Sequence, residues 1–329
     1  MLMTGRRNFV LSAAAFGAAL GLDSRLAIAE PAQTQRTPDP CDGFFRYRVG
    51  SVECTAVYDG IWEKPHDPGY FENASIEETK NALVAAGLPA DFVSIPITAL
   101  VLNLNGKLVL CDAGAGGQVQ PLERNYTIIS GKLIANMTAA GINPAKIETI
   151  LISHFHPDHI YGLMAKDNAP IFPDAEIIVP AYEYKWWTDP SVINRLPPGR
   201  RPLAQRIQAV FPTWKNIRQV AGEPEVLPGV RFVSAPGHTP GHTAFHLSSG
   251  KEQMMISNDT AYVPALNAAH PDWHGAFDQD KPLASISRRK LLDRVIADKM
   301  MICGYHFPWP AVGTIAKDGT GFALSLPKA

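Results

Sequence analysis

The stretch Ile152–Gly162, ISHFHPDHIYG, constrains this chain more than any other. Within six positions it carries His154, His156, Asp158 and His159, three of the ten histidines in 329 residues. A hydrophobic core rejects such a set, because an imidazole or carboxylate buried without a partner loses its hydration uncompensated. A solvated loop has no need of it. Neutral imidazole nitrogens together with a carboxylate are good ligands for zinc and similar divalent cations. The block follows the apolar run Ile147–Ile152, which reads as a short strand, and the carboxyl ends of strands are where open α/β sheets place ligands.

Other metal-ligand candidates share that placement. Gly237-His238-Thr239-Pro240-Gly241-His242 follows the strand pattern 230–234, Asn258-Asp259 ends the pattern 253–257, and His306 comes just after the run 300–303. Asp112 closes an apolar run and opens the turn Asp112-Ala-Gly-Ala-Gly116. Several strand ends can therefore converge on one pocket.

The remaining pattern alternates strands and helices, with antiparallel hairpins at both ends, so the sheets are expected to be mixed. Residues 44–49 and 52–58 read as strands. Ser75-Ile-Glu-Glu78 is a capping box, which predicts a helix to about Gly87. The runs 98–104 and 107–110 flank Asn105-Gly106, a hairpin signal. A helix over 132–140 places Leu133, Ile134 and Met137 on one face. Strand 175–179 and helix 181–187 precede a proline-rich segment, 188–203, expected to be an exposed insertion. Then come a helix over 204–220, strands at 230–234, 243–248 and 253–257, a long irregular segment 263–285, a helix over 288–299 and a strand at 300–303. A loop of that length is usually functional or disordered, and 263–285 is expected to act as a lid.

Composition excludes some roles. With 46% hydrophobic and 19% charged residues and a net charge of −1, the chain is globular and lacks the basic surplus of a nucleic-acid binder. Residues 1–29 are expected to be removed. Arg6-Arg7 precedes an apolar run, Phe9–Leu22, too short to span a bilayer comfortably, and Ala27-Ile28-Ala29 offers a cleavage site. This leader resembles a twin-arginine export signal, implying a periplasmic or secreted domain over 30–329 with no stable membrane anchor. Of four cysteines, Cys41 and Cys54 are placed to pair in an oxidising compartment, whereas Cys111 and Cys303 lie in apolar runs and read as buried thiols.

Taken in order, Asp112 in LVLCDAGAG, the HFHPDH block, His238 in PGHTPGH, Asp259 in SND and His306 in GYHFP resemble the metallo-β-lactamase superfamily. The resemblance covers nearly all of residues 30–329. It implies an αββα sandwich of two mixed β-sheets flanked by helices, with a site for two divalent ions, most often zinc. By position, His154, His156 and His238 would hold one ion and Asp158, His159 and His306 the other. Asp259 would bridge them, Asp112 would orient the loop, and His242 would support the site rather than ligate. Two such ions share a water, lower its pKa and direct it at a carbonyl or phosphoryl centre, so no side-chain nucleophile is needed.

Departures narrow the chemistry. Asp259 stands where the best-known β-lactamases have cysteine, and no flavin domain or basic exosite is present. Tyr262, three residues after Asp259, matches the spacing of a tyrosine in N-acyl homoserine lactonases. The segment from Phe45 to Gly60, the PGHTPGHT block and His306 to Gly313 resemble the secreted methyl parathion hydrolase group, where the tyrosine position is apolar. The expected activity is hydrolysis of a small-molecule lactone or carboxylic ester, with Asp259 and Tyr262 as catalytic residues. Phosphotriester hydrolysis is the alternative, and a metal-binding protein without turnover is the alternative of another class. A glyoxalase II-like thioesterase fits less well, since the chain ends in strands. Phe155, Trp187 and Trp273 are candidates for the pocket wall. Apolar loops near the entrance leave a homodimer open.

Overall fold

The computed structural model describes Pro40 and residues 42–119 and 127–327. The leader and Cys41 lie outside them. Among the described residues, no helix is long and apolar enough to cross a membrane.

The first sheet begins with the meander β1 (Phe44–Val49), β2 (Val52–Pro65), β3 (Phe92–Leu104) and β4 (Lys107–Cys111). A short strand, β5 (Thr127–Ile129), pairs with the far end of β2. β6 (Ile147–Leu151), β7 (Glu176–Pro180) and β8 (Ile217–Val220) then add parallel to β4 in sequence order. The second sheet runs, from edge to edge, β15 (Gly321–Ser325), β14 (Val312–Asp318), β13 (Met301–Cys303), β12 (Glu252–Ile256), β11 (Thr243–Ser249), β10 (Val230–Ser234) and β9 (Glu225–Leu227). Only β12 and β13 are parallel there. Both sheets are therefore mixed, as expected.

Side-chain alternation builds three apolar layers. Leu100, Leu102, Val109, Cys111, Leu151 and Ile178 face Phe232, Phe245, Leu247, Met254 and Ile256 across the gap between the sheets. On the outer face of the first sheet, Val101, Leu110, Ile150 and Ile177 pack under α2 (Leu133–Ala139), α4 (Ala181–Thr188) and α5 (Arg201–Val210). On the outer face of the second, Val233, Met255 and Ile302 meet Leu291, Leu292 and Val295 of α6 (Lys281–Ala297). The remaining helices are α1 (Ile76–Ala85), capped by Ser75 and Glu78 as the sequence predicts, and the single turn α3 (Pro157–Ile160). The result is the αββα sandwich.

Several expectations need correction. The helix expected over 204–220 spans Arg201–Val210, because Pro212 has no N–H to continue it; residues 217–220 are instead strand β8. α6 starts at Lys281, seven residues earlier than expected, capped by Asp280 with a proline in its first turn. Ile134 does not share the buried face of Leu133 and Met137; it is 40% exposed. Segment 188–203 is not wholly exposed, since Val192 and Leu196 are buried in the outer core. Cys54 is a free, buried thiol.

Candidate metal centre

The seven metal-ligand candidates meet at the ends of strands from both sheets. His154, His156, Asp158 and His159 follow β6, with Pro157 opening the turn of α3 that brings Asp158 and His159 inward. His238 lies between β10 and β11, Asp259 follows β12, and His306 follows β13. Ligand atoms of His154, His156, His238 and Asp259 lie within 4.8 Å of one another, as do those of Asp158, His159 and His306. Asp259 joins the two groups: its Oδ1 is 3.2 Å from His159 Nε2, and its Oδ2 is 3.2 Å from both His238 Nε2 and His306 Nε2. Asp158 Oδ2 is 3.2 Å from His306 Nε2.

The far nitrogen of each ring explains why these donors point inward. His159 Nδ1 donates to Asp112 Oδ2 at 2.7 Å, and His238 Nδ1 to Asp278 Oδ1 at 2.9 Å. His306 Nδ1 donates to the Pro96 carbonyl at 2.6 Å. Ser153 Oγ gives its proton to Asp112 and so accepts from His154 Nδ1 at 2.9 Å. Four imidazoles are thereby set in one tautomer, with the Nε2 lone pair directed into the site. His156 instead presents Nδ1, 2.9 Å from His238 Nε2. His242 is one step removed: Nδ1 donates to the Ala235 carbonyl, and Nε2 accepts the Asp259 N–H at 3.2 Å, which positions Asp259.

A divalent cation fits this donor set. His154 Nε2, His159 Nε2 and Asp259 Oδ1 are buried with no hydrogen-bond partner among the described residues, an arrangement that is costly unless something else is bound. The electrostatics agree. Burial and the neighbouring imidazoles hold the pKa of His154 well below the ordinary histidine range. Burial also opposes charge on His159 and His306, yet nearby carboxylates outweigh it, and His306 is lifted to about 10. Burial likewise opposes ionisation of Asp259, but His306 and His159 keep its carboxyl ionised well below the usual range. The site therefore calls for positive charge at its centre and offers lone pairs to receive it.

The rest of the support was not legible as a local pattern. Asp278 is held by Arg288, whose Nη2 lies 2.9 Å from Asp278 Oδ2; both side chains are fully buried. Arg288 also donates to the carbonyls of Thr260, Pro271 and Trp273. Glu183 of α4 accepts from the N–H groups of Phe155 and Gly241, from Thr239 Oγ1 and from Trp187 Nε1, tying the His154–His156 loop to the His238 loop. Tyr305 stacks on His159 at 4.0 Å and donates to the Asp158 carbonyl.

The expected pocket residues divide. Phe155 is buried in the outer core against Phe211, and Trp187 is fully enclosed there, so neither forms an open wall. Trp273 is half-buried and stacks on His270 at 3.8 Å. Tyr262 is buried beside His238, ring centroids 5.5 Å apart, and its hydroxyl makes no hydrogen bond of normal geometry. Burial, then Asp278, raises its pKa well above the ordinary tyrosine range, so it is a proton-bearing donor. The segment expected as a lid packs against the site as a wall in this conformation. Its Ala276 N–H bonds the Tyr70 carbonyl, its Asp280 N–H bonds the Gly237 carbonyl, and Arg288 holds it from within.

Residues 95–306 match the model of the metallo-beta-lactamase superfamily. The chain belongs to that superfamily. Among relatives within it, an N-acyl homoserine lactonase of Bacillus sp. is 26% identical over 215 residues, covering 61% of this chain and 78% of that one. AidC, a dizinc quorum-quenching lactonase solved with its product N-hexanoyl-L-homoserine, is similar in structure at a TM-score of 0.79 and 26% identity, covering 87% of this chain and 98% of AidC. The hydrolase AbOPH of the same superfamily shares the fold at a TM-score of 0.77 and 24% identity, covering 87% and 98% respectively. The homologues and neighbours of this superfamily member are metal-dependent hydrolases.

Proposed function

We propose that residues 30–329 form an exported, dinuclear metal-dependent hydrolase that opens a lactone or cleaves a carboxylic ester. The observation that carries this reading is the set of inward Nε2 lone pairs on four tautomer-locked histidines around Asp259. The names of the relatives support the lactone, and the dizinc AidC supports zinc.

His154, His156 and His238 would hold one ion, Asp158, His159 and His306 the other, with Asp259 between them. Such a pair of ions supplies Lewis acidity and an activated water. The chain's own residues do the rest. Asp112, Asp278 and the Pro96 carbonyl keep the protons on Nδ1, so the Nε2 atoms stay basic. Glu183 fixes the two histidine loops relative to each other. Tyr262, kept protonated by burial, donates to the oxygen on which negative charge develops. The leader delivers the folded domain beyond the cytoplasm.

The test compares kcat/KM of metal-loaded protein on N-acyl homoserine lactones, an aromatic lactone, an aryl ester and a phosphotriester, for wild type and Tyr262→Phe. A lactone preference that falls about tenfold in the variant, near 1.4 kcal/mol of transition-state stabilisation, supports the reading. A phosphotriester preference insensitive to Tyr262 overturns the lactone assignment. Two bound metals with no turnover of any substrate overturn the enzyme reading.

A further inference from the structure

Each group of metal-ligand candidates is braced by a buried carboxylate. For His154, His156 and His238 that carboxylate is Glu183, which accepts from the Phe155 N–H between the first two and from Thr239 and Gly241 beside the third. For Asp158, His159 and His306 it is Asp59, which is fully enclosed. Asp59 lies in β2 where the pairing with β3 slips between Tyr58 and Gly60, a bulge of the kind that re-aims a side chain. Its Oδ2 accepts the Ala115 N–H at 2.8 Å, and its Oδ1 accepts the N–H groups of Gly131 and Leu133, at the start of α2, at 2.9 and 3.0 Å. Among the described residues neither carboxylate forms an ion pair, and burial raises the pKa of both. The Ala115 bond matters because of what the turn ahead of it carries. Ala113 N–H donates to the His159 carbonyl at 2.8 Å, and Gly114 N–H donates to Tyr305 Oη at 3.0 Å. That hydroxyl in turn donates to the Asp158 carbonyl at 2.8 Å, the Tyr305 ring stacks on His159, and His306 is the next residue. Asp112 reaches both groups, through His159 Nδ1 and through Ser153 to His154, whereas the N–H groups of Ala113 and Gly114 reach only the second.

We propose that Asp59 is a positioning residue for one ion only: through Ala115 and Tyr305 it sets Asp158, His159 and His306, while Glu183 independently sets His154, His156 and His238. This rests on the two-ion reading above and adds that the two halves of the centre are braced separately, although Asp259 joins them. A ligand set binds its ion tightly when its donors are held in place beforehand, and supporting hydrogen bonds do this holding. Bonds from backbone N–H groups to an ionised carboxylate are about twice as strong as neutral ones, which suits Asp59 to the task. An asparagine fills the same space, but its amide nitrogen accepts nothing, so at least one of the three N–H groups would lose its partner.

The test reads zinc binding and not turnover. Competition against a chelating dye gives the stepwise zinc affinities of wild type, D59N, Y305F and E183Q, with melting curves for each, and H306A marks the step that belongs to the half containing Asp158, His159 and His306. D59N should weaken that step about tenfold, the low end for partners that orient metal ligands, and leave the other within about twofold. Y305F keeps the ring on His159 but removes the hydroxyl, so it should weaken the same step, and E183Q should weaken the other. Loss of both steps alike in D59N, loss of neither, or loss of the step that E183Q weakens overturns the proposal. If D59N shows no cooperative melt, Y305F decides: a weakening confined to the step marked by H306A supports the proposal, and a weakening of both steps or of neither overturns it. A wild type that binds a single ion overturns the two-ion reading and this proposal with it, whereas two steps that the variants fail to separate overturn this proposal alone.

Discussion

Asp278 lies 40 positions from the histidine it holds, and Arg288 a further ten from Asp278. Neither has a sequence signature, because a carboxylate that orients a ring is defined by a tertiary contact. The metal-ligand candidates were legible for the opposite reason. Four of them fall in one short block, and the others each follow a strand pattern, so residue type and placement were both visible in the chain. Asp278→Asn should weaken metal binding by roughly 10–100-fold, since the amide holds the His238 proton less firmly. A competition titration against a chelating dye measures this, and unchanged affinity would exclude the orienting role. The thiols allow a second check. Burial pushes Cys54 and Cys303 up to about 12, and burial raises Cys111 as well. The pKa shifts keep these groups as neutral thiols at pH 8, and only thiolate reacts. Intact-mass analysis after iodoacetamide treatment should therefore show at most one label on the native protein, at Cys41, and four after denaturation.

At the level of elements, what could be read depended on whether the signal was local. The Ser75 capping box and the Asn105-Gly106 turn determine their own geometry, and both elements form where expected; Asn105 and Gly106 have positive φ, as this tight hairpin requires. Helix ends that depend on proline chemistry were misplaced at α5 and α6, although Pro212 and Asp280-Lys281-Pro282 carried the information. The buried part of 188–203 could not be inferred, because Val192 and Leu196 find their partners on other elements. The contact between the His238 loop and α6 is of the same kind. Gly237 has φ +125°, and a Cβ there would lie 2.2 Å from the Ala284 backbone nitrogen. Gly237→Ala should force the loop off α6 and destabilise the protein by more than about 3 kcal/mol, combining overpacking with backbone strain. Urea denaturation would show it, and a loss below about 1 kcal/mol would mean the loop adjusts freely.

For the whole molecule, the metal-ligand candidates draw on both sheets: His154 to His159 extend the first, while His238, Asp259 and His306 extend the second. Bound cations would then stabilise the sandwich as one unit, because only the folded chain gathers the ligands. Chelation should lower the melting temperature, by about 2–4 °C for each kcal/mol of binding lost in a domain of this size, and restoring zinc should reverse it. An unchanged melting curve would show that the sheets do not depend on the centre. The wall beside that centre has a separate consequence, for rates. Residues 271–278 are hydrogen-bonded to Arg288, to the Tyr70 carbonyl and to Arg200, so a flap swinging there would have to break those contacts first. If turnover is limited by bond cleavage and not by such a swing, kcat does not sense solvent friction, and added sucrose or glycerol should leave it unchanged; a kcat that falls in proportion to viscosity would mean that the wall moves.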